Sequence, residues 1–145
     1  MIDENAVISE IIAILSDIEI DDTPVLKQLY DHIPAQYMQF PACYVVPGAW
    51  QESLADLRDT EVTQSYRIGI VYTLDPDMRE GQVVIRDTAA LVRNELKKQE
   101  NIQLGGTVDW SEQTGGSYSF NVTEQKVAVC EITIQVRKRY SRYSN

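Results

Sequence analysis

Histidine is the side chain that most readily moves a proton near neutral pH, and this chain has one, His32, in the segment Tyr30-Asp31-His32-Ile33-Pro34. A neighbouring Asp can orient an imidazole, but nucleophilic catalysis also needs a Ser or Cys held in a strained elbow, and none accompanies it. A structural or surface histidine is the reading this segment supports. Asp75, Asp77 and Gly81 resemble the start of a calcium loop, yet Arg79 stands where the third oxygen ligand belongs and the glycine comes one residue late. Gly105-Gly106 and Gly115-Gly116 lack the strand-to-helix setting and the Lys-Ser/Thr pair of a phosphate loop, so both predict turns. Paired carboxylates such as Asp21-Asp22 would serve acid–base chemistry only inside a cleft; elsewhere they are a solvated surface. Cys43 and Cys130 lie in apolar runs without CxxC or Cys/His spacing, which predicts buried, reduced thiols. No catalytic residue, metal or cofactor is assigned, and the chain reads as a non-enzyme.

Charge narrows the partners. The chain carries 22 acids against 13 bases, and four of those bases, Arg137, Lys138, Arg139 and Arg142, fall in the last nine residues, which hold no acid. Residues 1–136 therefore present nine bases against all 22 acids. Such a body repels a polyanion, which argues against an ordinary nucleic-acid-binding domain. The terminal "RKRYSRYSN" interleaves Arg and Tyr, a pattern that suits phosphate contact and base stacking. It suits equally a solvated tail, or docking onto the acidic body of a neighbouring subunit, and the charge of the body favours subunit contact over nucleic acid. No apolar run approaches the roughly 20 residues of a membrane span, and the acidic N-terminus "MIDENAVISE" lacks the positive region of an export signal.

The elements that would position these residues follow from periodicity. Ile8, Ile11, Ile12, Leu15 and Ile18 recur at helical spacing, predicting a helix from about Glu4 to Asp17. Asp21-Asp22-Thr23-Pro24 breaks the chain, and Leu26–Tyr30 fits either a short strand or a helical turn. Cys43–Val46 is a short apolar strand bracketed by Pro41 and Pro47, residues that a central ladder position excludes. The polar stretch "AWQESLADLRDTE" shows no strong period and predicts a long loop with at most a short helical piece. From Val62 to Leu74 alternation is clear, with Tyr66, Ile68, Ile70, Tyr72 and Leu74 on one face. A second helix runs from Pro76 to about Lys98, and a meander of "TVDWSEQ", "SYSFNV" and a long strand from about Gln125 to Arg139 ends the chain. This order predicts α+β: a mainly antiparallel sheet with two main helices packed on one face. Residues 1–136 form the single domain and 137–145 a basic C-terminal tail, while the opposite sheet face and the edges are left for partners.

"LYDHIP" and "FPACYVVPG", then a polar loop, "YRIGIVYTLD", a helix ending "LVRNELKKQ", a Gly turn and "VAVCEITIQVRKRY" together resemble the tail terminator (tail completion) proteins of long-tailed bacteriophages. The resemblance covers nearly the whole chain in element order. It implies an α+β subunit that assembles as a homo-oligomeric ring, of six copies, at the head-proximal end of the tail tube. There it would end tube growth and join tail to neck, with tail tube protein and neck protein as partners and DNA passing through an acidic channel without specific binding. Assembly would take place in the bacterial host cytoplasm, with the product in the virion tail. On that reading Trp50, Leu54 and Leu57 of the long loop are candidate subunit or partner contacts, together with Arg137, Lys138, Arg139 and Arg142; the loop residues could instead fold back onto their own core. The competing readings are a small acidic adaptor, or another neck or head-tail joining protein, that binds a single protein partner.

Overall fold

The computed structural model describes residues 2–120 and 126–141. Helix α1 (Glu4–Ser16) begins at Asp3, whose carboxylate accepts the Ala6 N–H at 3.1 Å. A short hairpin, β1 (Glu19–Ile20) and β2 (Thr23–Pro24), follows, turning through Asp21 and Asp22 at positive φ. The main sheet comprises β3 (Gln28–Tyr30), β4 (Ala42–Leu54), β5 (Asp59–Thr73), β6 (Trp110–Phe120) and β7 (Val127–Ser141), in the order β3-β4-β5-β7-β6. Among the described residues only the β3–β4 pairing is parallel. Helix α2 (Met78–Lys97) starts at Asp77, which accepts the Glu80 N–H at 3.0 Å, and so begins two residues after the proline expected to open it. The fold is α+β, as the order of elements predicts.

Both helices bury one stripe against the same sheet face. Val7, Ile11 and Leu15 of α1 and Ile85, Ala89 and Val92 of α2 pack on Cys43, Val45, Tyr66, Ile68, Ile70, Cys130 and Ile132. Part of the opposite face is covered too. The segment between β3 and β4 folds over it, so that Tyr37 and Phe40 join Ala42, Tyr44, Val46, Val71 and Val129 in a second cluster. This explains the unbroken apolar run Ala42–Val46: each residue is buried, alternately on one face and the other.

Of the two turns expected at glycine pairs, one forms and one does not. Gly105 and Gly106 do turn the chain, at φ +67° and +85°. Gly115 and Gly116 instead lie inside β6, so "TVDWSEQ" and "SYSFNV" do not form separate meander strands. A bulge between Gln113 and Gly115 shifts the register there, and a Cβ at Gly116 would stand 2.7 Å from the Glu131 carbonyl oxygen of β7. The glycine permits that close approach.

Candidate functional site

Pro47 does not end β4. Strand β3 covers its outer side only from Ala42 to Tyr44, so by Pro47 it is an edge strand, a sheet setting that tolerates a missing N–H. A bulge follows between Pro47 and Trp50, after which β4 continues, paired with β5 from Trp50↔Gln64 to Leu54↔Thr60. The stretch expected as a long loop is thus a β-hairpin closed by residues 55–58. Strand β7 runs beside it, from Gln64↔Val136 to Asp59↔Ser141. The result is a three-stranded arm, and from Glu61 outward to the turn its residues are half-buried or exposed.

The candidate contacts sit on this arm. Trp50, Leu54 and Leu57 are 59%, 68% and 87% exposed, so they do not fold back onto the core. Arg137, Lys138 and Arg139 are residues of β7, as the strand expected to about Arg139 implies; Arg142 lies outside the described residues. Each of the three has an intramolecular partner. The Arg139 guanidinium reaches Asp56 at 3.0 Å and Asp59 at 3.1 Å, and its backbone N–H donates to Asp109 at 2.8 Å. Arg137 stacks over the Trp110 ring at 4.8 Å, and Lys138 lies 5.3 Å from the centre of the Tyr140 ring. The basic residues hold the arm together before they can hold anything else.

Asp56 organises the tip. Its Oδ1 accepts the N–H groups of Arg58 at 2.7 Å and Asp59 at 2.9 Å. Those two bonds, with Arg139 adding a smaller effect, keep its carboxyl below the ordinary carboxylate range. At the root of the arm Gln64 donates to Glu4 at 2.7 Å and ties β5 to the start of α1. Beside this bond a notch of about 410 Å³ opens between α1 and the arm, with Ile2, Trp50 and Val62 as apolar lining and Asp3, Glu4 and Glu52 as carboxylates. Burial, then the nearby Asp109 and Asp3 carboxylates, push the Tyr140 phenol up to about 12.

The residues weighed for catalysis do not converge. His32 is exposed, 2.8 Å from Asp31, and contacts the edge of Tyr30. Asp77 caps α2 through its side chain and its carbonyl, which accepts the Gly81 N–H. Asp21 and Asp22 are exposed in a hairpin turn. Cys43 and Cys130 are free and buried, each paired across the sheet with Ile70, and burial pushes both thiols up, away from the reactive thiolate. Among the described residues no group of three or more His, Cys, Asp or Glu could hold a metal ion, and no helix is long and apolar enough to cross a membrane.

Sequence reasoning missed one cluster. On α2, Arg86, Arg93 and Lys97 fall seven and four residues apart, one stripe of the helix, and Arg93 and Lys97 wall a groove of about 430 Å³ beside β6. The spacing is legible in the sequence, but Asp87 and Glu95 interleave with these bases along the chain and conceal the stripe.

No family model matches the chain, and no curated protein matches it. Among solved structures it is similar to a chain described as "Virion of native gene transfer agent (GTA) particle", at 13% identity and a TM-score of 0.48, with 94% of each chain covered. A likeness of that degree fixes neither an activity nor a partner.

Proposed function

We propose that this chain is a virion structural protein: a tail terminator that assembles as a six-membered ring on the head-proximal end of a phage tail tube, stops tube growth and meets the neck. The observation that carries the reading is the arm. The arm holds Trp50, Leu54 and Leu57 exposed on an ordered three-stranded ladder; exposed apolar side chains on a rigid element mark a surface that a partner buries. The order of elements and the quoted segments resemble tail terminators and supply the identity of the partners, tail tube protein and neck protein. An acidic body lets DNA pass through the ring without adhering. The chemistry asked of the chain is binding alone.

Sedimentation of the purified protein over a wide concentration range tests this. A discrete species near six subunits is the expected result. A strict monomer, or a dimer that grows no further, would overturn the ring and leave the small acidic adaptor reading.

A further inference from the structure

Two sheet edges are open. Strand β6 is the last strand of the sheet, paired with β7 on one side only, and β4 beyond Tyr44 is paired only with β5. Among the described residues no strand covers either edge, and an uncovered row of N–H and C=O groups is a template for another strand. We infer that copies of this chain join head to tail, the arm edge of β4 in one copy adding to the β6 edge of the next. The inference rests on the ring reading and names the contact that would build the ring.

Three independent features of the two edges agree. The first is charge. The β6 edge runs beside the groove walled by Arg93 and Lys97, a local excess of positive charge on a chain of net charge −9. The arm edge presents Glu52, with Asp3 and Glu4 beside it across the notch. Lys97 makes no ion pair among the described residues. Arg93 is held toward β6 by Gln113, which accepts from its Nε at 3.4 Å and donates to its carbonyl at 2.7 Å.

The second is the face on which those charges lie. Directly opposed residues of a ladder share a face. Glu52 opposes Val62 and Gln113 opposes Ile134, and both Val62 and Ile134 belong to the core beneath the helices. Joining the two edges into one sheet therefore places Glu52 of one copy on the same side as Arg93 and Lys97 of the next. Gly115 and Gly116 leave the groove without side chains at its middle, above Cys130 and Ile132, where Trp50 of the arriving arm can lie.

The third is strand direction. Strand β4 is antiparallel to β5, β5 to β7 and β7 to β6, so β4 runs in the direction of β7 and opposite to β6. Within one chain Glu52 lies level with Lys138, and Gln113 with Ile134, four residues lower. A copy rotated about an axis inclined to the strands is staggered along them by that amount. Its β4 still meets the first copy's β6 as an antiparallel pair, with Glu52 level with Gln113 and Trp50 level with Gly116. Such a contact uses different surfaces on the two copies and can close into a ring.

The test is a charge-reversal cycle read by sedimentation of the full chain. Glu52 and Arg93 are both exposed, so E52R and R93E leave the fold unchanged by circular dichroism. Each single variant weakens association about ten-fold, and the double variant recovers to within about three-fold of the parent. If a six-membered species forms and neither single variant weakens it, the contact is overturned while the ring stands. If parent and variants are monomers or two-fold dimers at every concentration, both fail. Weakening in both single variants without recovery in the double variant also overturns the direct pairing.

Discussion

The lower and upper halves of the sheet share the same three strands and the same ladder of backbone hydrogen bonds, yet they live in different solvents. Around Val45, Ile70 and Cys130 the sheet is buried by two helices on one face, and by the Tyr37–Phe40 segment on the other. Around Glu52, Ser53 and Leu54 the strand is exposed on both faces. What orders the arm is continuity: once β5 and β7 are fixed by the core, each further pair adds backbone bonds and costs the entropy of its own residues, with no new strand alignment to establish. Strand formation in one half and burial in the other are separate outcomes of one ladder.

The sharpest way to break this comparison is to remove equivalent apolar volume from each half. Ile70→Ala sits at zero exposure between Cys43 and Cys130 and is expected to cost about 2–5 kcal/mol in urea unfolding. A smaller core effect is expected at Gly69, where the Tyr44 ring lies across the glycine so that an added Cβ would fall within it. Displacing that ring also breaks the 2.6 Å bond from its hydroxyl to Glu131. Gly69→Ala should cost about 1–3 kcal/mol, and Tyr44→Ala in the same chain should relieve part of that cost, giving a double-variant loss below the sum.

Alkali probes the same buried half. Burial raises the phenols of Tyr44 and Tyr66 above their ordinary value of 10.0, with Glu131 adding to the first and Glu4 to the second. In the unfolded chain both ionise near that value while in the folded chain they stay neutral. Their contribution is therefore whole below pH 10 and falls as pH rises from there toward the higher folded values. Unfolding midpoints in urea should be level on approach to pH 10 and drop above it, with tyrosinate absorbance at 295 nm (roughly, the usual phenolate band) appearing together with unfolding. Tyrosinate absorbance complete before any unfolding would show these rings to be open to solvent.

In the arm the expected stability effect is near zero. Leu54→Ala should stay within about 0.5 kcal/mol of the parent in urea unfolding, as exposed substitutions do, while lowering self-association in sedimentation. A loss comparable to that of Ile70→Ala would mean that the arm is part of the core and would remove the ground for reading it as a contact element.

The sequence shows why these halves were unequally legible. Ile8, Ile11 and Leu15, and the alternation Tyr66-Ile68-Ile70, state their burial directly, because periodicity is the imprint of a single buried face. "AWQESLADLRDTE" carries no such imprint: a strand wet on both faces has no reason to alternate, so its ladder was invisible and it looked like a loop. Gly115-Gly116 misled for a related reason. Turn chemistry and close backbone approach both select glycine, and only the neighbouring strand distinguishes them. The basic terminus was legible as charge and, as far as Arg139, as a strand, but not in its pairing, since the carboxylates that meet the Arg139 guanidinium lie some 80 positions earlier, at Asp56, and at Asp59. Of the two prolines that bracket Cys43–Val46, the first precedes a strand buried on both faces, while the second marks where β4 becomes an edge.

The smallest expected effect is local to the tip. Asp56 accepts two backbone N–H groups of its own turn and faces Arg139, and its carboxyl titrates below the ordinary value of 3.8. A depressed folded value means the interaction is whole above that ordinary value and is lost as pH falls through the lower one. The group is exposed, so global stability should not register the change. What should register it is amide chemical shift and hydrogen exchange at Arg58 and Asp59: constant down to pH 4 and then moving together as the carboxylate takes its proton. Asp56→Asn keeps an acceptor oxygen for the turn but removes the charge that faces Arg139, so its tip amides should lose most of that acid transition. If they keep it in full, Asp59 rather than Asp56 is the carboxylate on which the tip depends, and the turn is held from β5 instead of from within itself.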